Sequence, residues 1–378
     1  MFFRKLARSL ALAACVALVL SGCGGASFDD PSKIKGLRVL AVQKSSPYPK
    51  QGEQVNIKLL FWDGKSTDES PRNILVLFLS DLLGLCVNPP GDLYFNCFSG
   101  RDGGAPGGGM PDTGLPDPDG GMPDAEVADA SRARENTSLL PSPFVTATRP
   151  HEASLFQDPA HVRQTNIVIP GDIITKRAPG IEPYGLAYVL FMACAGIPRL
   201  VPNAAPGKLP FGCFDADGRE LGADDFVIGY TSMYVFDDRS NQNPVVDDFL
   251  FDSASLAGST IDETLVSHVP SCKESDRTKC PKHTLKPVIN KALTDEEDPS
   301  ARSPDGQPLR EQAWVNYYIT AGELKSSVRL VNDATQGWNE KNEAEYTAPA
   351  EPGPVRVFAV VHDNRGGVAW VEGKIIVD

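Results

Sequence analysis

The stretch GPVRVFAVVHDNRGGVAWVEGKIIV, residues 353–377, gives the clearest indication of the fold. Between Val355 and Val361 every second position is valine or alanine, so these side chains share one face of a strand. Residues 363–367 (DNRGG) are typical of a turn, and residues 368–377 return as a second apolar strand. The stretch therefore predicts a β-hairpin that ends a β-sandwich.

Similar patterns occur upstream. The hairpin resembles the last two strands of Ig-like and PKD-like modules, and WVNYYIT, residues 314–320, alternates in the same way. A strand is predicted over residues 226–236, with Tyr230 and Tyr234 on one face. Long helical periodicity is missing, while Pro (32) and Gly (34) supply many turns. The fold class predicted is therefore all-β.

The length of 378 residues suggests two domains. We expect a first β-sandwich over residues 36–253, closed by a strand at residues 245–251, and a second, Ig-like sandwich over residues 254–378. The segment 99–140 interrupts the first domain and is rich in Gly, Pro and Asp, with very few large apolar residues. Because such a segment cannot offset its ordering entropy, it predicts a long disordered insertion. Its aspartates match no regular calcium-binding loop.

The cysteines outside the N-terminal segment form three close sequential pairs. An even set in an exported chain indicates disulfides, and each pair brackets a loop rich in Pro, Gly or charge. A zinc site is the alternative, but no CxxC occurs and His283 is the one histidine at plausible spacing from a cysteine. The predicted disulfides, with neither a metal nor a cofactor, are Cys86–Cys97, Cys194–Cys213 and Cys272–Cys280.

The N-terminal segment predicts export. It has three cations within its first eight residues and an apolar run over residues 10–20, too short to span a bilayer as a helix. Its end, Leu20-Ser21-Gly22-Cys23, resembles the lipobox of bacterial lipoproteins; an ordinary signal peptide cut near Ala26 is the alternative. The resemblance implies a signal peptide over residues 1–22, acyl chains on Cys23 and a polar tether over residues 23–35. Several acyl chains hold a protein on a membrane where one would not.

Five further strings resemble a group of myxobacterial surface lipoproteins in which a lipobox and a short tether precede an "LRVLA" strand, a Pro corner and an Ig-like sandwich. This resemblance supports the fold and the location and implies no activity. It covers most of the chain outside residues 99–140. The strings are GLRVLAVQKSSPYPKQGEQVNIKLLFWD (36–63), GLAYVLFMACAG (185–196), FGCFDADG (211–218), DDFVIGYTSMYVFDD (224–238) and NQNPVV (241–246).

Charge and motifs restrict the function. The net charge is -13, and removal of Arg4, Lys5 and Arg8 with the signal makes it -16, which argues against nucleic acid as a partner. Neither G-x-S-x-G nor HExxH occurs. An EF-hand over residues 213–218 is disfavoured against a β-turn, because Cys213 would stand where a carboxylate is needed.

Two further motifs favour a structural role over a functional one. His362-Asp363 is better explained as a hairpin turn than as part of a catalytic triad. Trp314 and Trp370 are expected to pack against the core rather than to form a sugar platform.

The sequence predicts a lipid-anchored protein of the cell envelope with a binding or structural role and no catalysis. Its partners would be membrane lipid, through the acylated Cys23, and an envelope protein or glycan. Gly24 after Cys23 favours the outer membrane, facing the periplasm or the cell surface. The alternative is a hydrolase of envelope polymer that uses paired carboxylates among Asp224, Asp225, Asp247 and Asp248.

Overall fold

The computed structural model describes residues 30–66, 72–97, 144–145, 161–177, 183–201, 211–294 and 297–378. Within these ranges regular structure is almost entirely β-strand, which confirms the predicted all-β class. One short α-helix, α1 (Leu79–Leu83), occurs among the described residues. The predicted signal peptide, Cys23 and the insertion at 99–140 lie outside the described residues.

The strands of the first half precede residue 236. They are β1 (Leu37–Lys44), β2 (Gln54–Asp63), β3 (Leu75–Phe78), β4 (Leu85–Val87), β5 (Phe144–Val145), β6 (Val162–Val168), β7 (Gly185–Cys194), β8 (Ile197–Leu200), β9 (Phe211–Phe214) and β10 (Phe226–Val235).

The strands of the second half begin at residue 246. They are β11 (Val246–Phe251), β12 (Ala254–Ser255), β13 (Ser267–Val269), β14 (His283–Ile289), β15 (Glu297–Arg302), β16 (Pro308–Arg310), β17 (Ala313–Ile319), β18 (Glu323–Lys325), β19 (Val328–Asp333), β20 (Gly337–Trp338), β21 (Ala344–Thr347), β22 (Gly353–Asp363) and β23 (Val368–Val377).

Short 3-10 helices lie in the connections. Their bounds are Pro90–Asp92, Tyr94–Cys97, Glu263–Leu265, Arg277–Lys279 and Lys291–Leu293.

The first sandwich consists of two facing sheets. Sheet 1 has the order β10-β7-β4-β5, with β3 also paired to β7, and sheet 2 has the order β1-β2-β6. Alternate residues of β2, from Val55 to Phe61, point into the core between the sheets. They pack against the same-facing residues of β7, such as Val189 and Phe191. The alternation of apolar residues along β2 thus reflects burial of one face of the strand, as the sequence predicts.

The second sandwich is built from sheet 3, with the order β13-β23-β22-β17-β19-β20, and sheet 4, with the order β12-β11-β14-β21-β18. The predicted terminal hairpin is confirmed: β22 and β23 pair antiparallel over their whole length. Its turn is closed by the Asp363 carboxylate, which accepts from the backbone N–H of Arg365 at 2.8 Å and of Gly367 at 2.6 Å. Gly366 has φ +84°, which a residue with a Cβ rarely adopts.

Strand β11 corrects the predicted domain division. Residues 245–251 were expected to close the first sandwich, but β11 pairs with β12 and β14 in sheet 4. Phe249 and Phe251 are buried in the core of the second sandwich. The prediction was wrong because an isolated apolar strand does not indicate which of two cores it joins. Judged by strand pairing, the second sandwich begins at Val246 rather than at residue 254.

The two sandwiches pack on each other through sheets 2 and 3, so that four sheets are stacked in the order 1, 2, 3, 4. Leu40 and Leu60 on the outer face of sheet 2 contact Phe358 and Val360 on the outer face of sheet 3. We call this second apolar layer the seam. The predicted packing role of Trp370 is confirmed, because the side chain lies against the seam.

Buried polar groups border the seam. Lys44, only 4% exposed, donates to the carbonyl oxygen of Ser232 at 3.1 Å. Asp363, also 4% exposed, accepts from the Asn241 amide at 3.1 Å. Asn243 joins the halves, since its amide donates to the Lys44 carbonyl at 2.6 Å and its oxygen accepts from the N–H of Val368 at 2.9 Å. The NQNP segment therefore fastens one sandwich to the other.

The polar tether is shorter than predicted. Residues 23–35 were expected to be a free spacer, but Ile34 is buried in the seam and its N–H donates to the carbonyl of Ile319 at 2.8 Å. The N–H of Ile319 in turn donates to the carbonyl of Ser32 at 2.9 Å. The end of the tether is thus a short strand-like segment beside β17. An isoleucine in a polar segment was the signal for this packing.

Candidate binding face

Strand β7 is buried over its full length and on both faces. One face lies in the core of the first sandwich, as described above. The other face carries Leu186, Tyr188, Leu190 and Met192, which form a second apolar cluster on the outside of sheet 1. An outer sheet face this apolar needs a cover that excludes water.

A disulfide-closed loop provides part of the cover. Cys86 on β4 and Cys97 are bonded and fully buried in the outer cluster. Between them, the carbonyl of Asp92 accepts from the Tyr188 hydroxyl at 2.6 Å. Asn88 accepts from the N–H of Leu186 at 2.9 Å and donates to the carbonyl of Ile173 at 2.6 Å. The loop is therefore fixed to β7 at Asn88 and at Asp92.

Aromatic side chains form the rest of the cover. Tyr94 of the disulfide-closed loop stacks on Tyr230 of β10 with ring centroids 4.1 Å apart and an interplanar angle of 23°. Tyr188 meets Tyr230 edge to face at 5.4 Å. Further along β10, Tyr234 lies 5.5 Å from Tyr184. We call the set the tyrosine face; its members are Tyr94, Tyr184, Tyr188, Tyr230, Tyr234 and Phe236.

An ion pair supports the centre of the tyrosine face. Arg177 bonds to the Asp92 carboxylate at 2.5 Å, and its guanidinium lies 3.8 Å from the centroid of the Tyr184 ring. The Tyr184 hydroxyl donates to the same carboxylate at 2.7 Å. Burial alone would raise the pKa of Asp92, but the hydrogen bonds from Arg177 and Tyr184 outweigh it and hold that pKa below its ordinary value. The carboxylate is therefore ionised at neutral pH and orients both partners.

The same contacts act on the tyrosine hydroxyls. The hydrogen bond to Asp92, together with burial, raises the pKa of Tyr184. Burial, followed by neighbouring tyrosines and Asp92, raises the pKa of Tyr188 to about 12. Both hydroxyls stay protonated at neutral pH, so the face presents neutral rings.

Two rings of the tyrosine face remain accessible. Tyr230 is 44% exposed and Tyr234 is 42% exposed, although both are packed against other aromatic rings. Ser232 lies between them on the same side of β10, since side chains on one face of a strand are two residues apart. The arrangement can bind a flat, largely apolar ligand surface by stacking.

The three predicted disulfides are confirmed. Cys86–Cys97 covers sheet 1, as described. Cys194 ends β7 and bonds to Cys213 of the β8–β9 hairpin. Cys272 and Cys280 close an exposed loop in the second sandwich, where Arg277 donates to the carbonyl of Cys272 at 2.8 Å. Each disulfide joins two residues no more than 19 positions apart in the chain.

The carboxylates of the hydrolase alternative are placed in two separate regions. Asp225 precedes β10 and is bonded to Arg72 at 2.6 Å and to Lys65 at 2.9 Å. Although its burial acts to raise the pKa of Asp225, these cations hold it below the ordinary value. Asp224 is largely exposed, 3.8 Å from Lys65.

The other two carboxylates lie on β11 in the second sandwich. Asp248 accepts from the Ser255 hydroxyl at 2.7 Å, and Asp247 accepts from Asn290 at 3.3 Å. The structure thus places Asp224 and Asp225 beside the same Lys65 and leaves Asp247 and Asp248 in the other sandwich.

The candidate metal sites have other roles. Asp215 accepts from the N–H of Asp217 and of Arg219, and the N–H of Gly218 donates to the carbonyl of Asp215 at 3.1 Å, which confirms a turn. His283 bonds to Asp252 at 2.6 Å. Among the residues that the structure describes, no three His, Cys, Asp or Glu side chains are placed to hold a metal ion.

His362 and Asp363 do not act together. His362 stacks on Trp314 at 5.3 Å, and burial lowers the pKa of His362 to about 4. Asp363 is engaged in the hairpin turn. Successive residues of a strand point to opposite faces, so the two side chains cannot form a catalytic pair. The predicted structural role of Trp314 agrees with its stacking on His362.

Sequence reasoning identified Tyr230 and Tyr234 as neighbours on one strand but did not identify the site. Tyr94, Asp92 and Arg177 come from loops far away in the chain, and no short motif connects them. The one available signal was the continuous apolar run of β7, residues 185–194, which indicates burial on both faces.

In the described part of the chain, none of the helices has the length and apolar character needed to cross a membrane.

Comparisons with known proteins give little further information. No protein-family model and no curated protein matches the chain. A solved structure described as the crystal structure of dimeric latent PorU from Porphyromonas gingivalis is similar at a TM-score of 0.16 and 10% identity. The match covers 94% of this chain and 21% of that chain, so the chain spans about a fifth of that protein's length. A likeness at this TM-score carries no argument about fold or function.

Proposed function

We propose that the chain is a lipid-anchored protein of the cell envelope that binds a partner through the tyrosine face. The observation that carries the proposal is the pair of rings on β10, Tyr230 and Tyr234, which are more than 40% exposed yet held in place by packed aromatic neighbours. Tyrosines of this kind give large contact area at low cost in conformational entropy, and they are enriched at binding surfaces.

The lipobox supports the anchor. Two or three acyl chains on Cys23 would keep the protein on the membrane. Gly24, the residue after Cys23, favours the outer membrane. Since packed structure starts by Ser32, fewer than ten residues separate the lipid from the folded body. At about 3.5 Å per residue the body would stay within roughly 30 Å of the bilayer.

The position of the charges supports binding rather than catalysis. In the hydrolase alternative one carboxylate would be a free acid or base, whereas Asp225 is neutralised by two cations and Asp248 accepts from Ser255. A binding role requires only that the exposed rings stay where they are. The packing around them provides that rigidity.

The binding proposal is tested by sedimentation with envelope fragments of the source bacterium. The mature chain with Cys23→Ser is used, so that no lipid contributes to retention. We expect the further double substitution Tyr230→Ser/Tyr234→Ser to weaken retention about thirtyfold, since each ring contributes about 1 kcal/mol. Tyr230→Phe/Tyr234→Phe keeps both rings and should be retained almost as well as the parent.

Ile261→Ser is the matched control, because Ile261 is 90% exposed in the second sandwich. It should not change retention. Equal retention of the double serine variant and the parent would contradict binding through the tyrosine face.

The anchor is tested separately by detergent phase partitioning. The parent should enter the detergent phase, and Cys23→Ser should move to the aqueous phase or remain unprocessed. Unchanged partitioning of Cys23→Ser would disprove the lipoprotein proposal.

A further inference from the structure

We infer that the ligand of the tyrosine face is a neutral, β-linked polysaccharide chain that lies along β10 and stacks on Tyr230 and Tyr234. The inference rests on the proposed function and specifies its partner. It is argued from the rigidity of the two rings, their spacing, and the charge and width of the surface around them.

The two rings are ordered before any ligand arrives. Tyr230 is stacked on Tyr94 at 4.1 Å and meets Tyr188 at its edge. Tyr234 lies 5.5 Å from Tyr184 and 6.5 Å from Phe236, nearly parallel to the latter. A sugar gains little binding free energy from each contact. It therefore binds best to rings that lose no conformational entropy when it arrives.

The spacing of the rings fits an extended ligand. Four residues of a strand separate them, which corresponds to about 13 Å along β10. This distance exceeds the width of a single sugar ring, so one monosaccharide cannot stack on both tyrosines. A β-linked chain is extended and flat, and non-adjacent sugars of one chain can cover both rings. The Ser232 hydroxyl lies between them and can hydrogen-bond to a sugar hydroxyl.

The surface around the rings carries balanced charge. Arg177 is paired with Asp92. The Lys50 ammonium donates to the backbone carbonyls of Asp237, at 2.7 Å, and of Arg239, at 2.9 Å, so the two cations Lys50 and Arg239 stand beside the two carboxylates of residues 237–238. In a chain of net charge -13, a neutral aromatic surface suits an uncharged ligand better than an anionic or cationic one.

The shape of the surface distinguishes a polysaccharide from a protein partner. Stable protein interfaces bury about 800 Å² per partner around a central cluster of anchors. Here the two most exposed rings, Tyr230 and Tyr234, stand in a single row along β10, while Tyr188 and Phe236 are almost fully buried. A row one ring wide matches a chain one sugar wide.

The test is isothermal titration calorimetry with defined sugars and the mature Cys23→Ser chain. The probes are cellohexaose and chitohexaose, which are neutral β-linked hexasaccharides, and the monosaccharides from which they are built. We expect saturable binding of at least one hexasaccharide and at least tenfold weaker binding of its monosaccharide. A heparin hexasaccharide, which is anionic, should bind at least tenfold more weakly than the neutral chain.

The variants connect binding to the two rings. Tyr230→Ser and Tyr234→Ser should each weaken hexasaccharide binding about fivefold, whereas Tyr230→Phe and Tyr234→Phe should change it less than about twofold. Ile261→Ser should leave it unchanged. Failure of both hexasaccharides to bind the parent, or equal binding by the serine variants, would overturn the inference.

The envelope experiment separates this inference from the proposed function. Proteinase-treated envelope fragments should still retain the parent, because a polysaccharide survives the treatment. If retention depends on the two tyrosines but proteinase abolishes it, the tyrosine face binds a protein and only the polysaccharide inference is wrong. If retention never depends on the tyrosines, the proposed function itself is wrong.

Discussion

The central strands β7 and β22 have similar sequences of apolar residues but are covered in different ways. Both are buried on two faces for most of their length. The inner face of each lies in the core of its own sandwich. The outer face of β22 is covered by sheet 2 of the first sandwich, whereas the outer face of β7 is covered by one disulfide-closed loop and the aromatic side chains of β10.

The difference determines where a ligand can bind. The seam over β22 is a packed interior between two sheets and leaves Phe358 and Val360 inaccessible. The cover over β7 consists of single side chains, so its outermost rings, Tyr230 and Tyr234, remain in contact with solvent. A face covered by small local elements can serve as a binding site, while a face covered by a second sheet contributes only to stability.

The largest expected effect is the loss of a large side chain from the seam. Phe358→Ala removes a fully buried ring from the layer over β22 and should lower the free energy of unfolding by about 3–5 kcal/mol. Urea denaturation followed by circular dichroism measures the change. Val328→Ala, at a position 60% exposed on the same sheet, should change it by less than about 0.5 kcal/mol. A Phe358→Ala loss below about 1 kcal/mol would show that the sandwiches do not pack in solution as described.

The disulfide over β7 should have the next largest effect. Cys86→Ala/Cys97→Ala opens a loop of about 12 residues and should cost about 3 kcal/mol of stability. It should also release Tyr94 from Tyr230 and change the near-ultraviolet circular dichroism of the tyrosines. The control is Cys272→Ala/Cys280→Ala, which opens a similar loop in the second sandwich at a cost of about 2.5 kcal/mol. If both variants alter the tyrosine signal equally, the loop does not organise the tyrosine face.

The smallest expected effect, taken per pH unit, concerns the pH dependence of Lys44 beside the seam. Burial lowers the pKa of Lys44 to about 8 against the opposing influence of Asp363, from 10.5 in its ordinary state. Between pH 8 and pH 10.5 the unfolded chain therefore binds a proton at Lys44 that the folded chain does not. The contribution of Lys44 to stability rises with pH across this window and is lost as the pH falls through about 8.

Lys44→Met removes this contribution. The free energy of unfolding, measured in urea at several pH values from 7.5 to 10.5, should therefore rise less steeply, or fall more steeply, in the variant than in the parent. The difference in slope is at most about 1.4 kcal/mol per pH unit. The same pH dependence in both proteins would show that Lys44 is not buried beside the seam.

Several features follow from short stretches of sequence. The terminal hairpin, the alternation of β2, the turn at Asp217-Gly218 and the three disulfides depend on residues that are close together in the chain. In such cases the side-chain period, the turn residues and the loop length leave few alternatives. The lipobox is equally local, and the acylation of Cys23 and the insertion at 99–140 stay predictions of the sequence.

Tertiary structure alone decided which sheet each strand joins and what covers each outer face. An apolar run such as residues 185–194 shows that both faces of a strand are buried, but it does not specify whether a sheet, a loop or a ring lies above it. The membership of β11 in the second sandwich, the burial of Ile34 and the meeting of Tyr94 with Tyr230 all depend on segments that are distant in the chain. The physical reason is that the hydrophobic effect has no direction. The apolar pattern determines how much surface must be buried, and only the packing of the folded chain determines which element buries it.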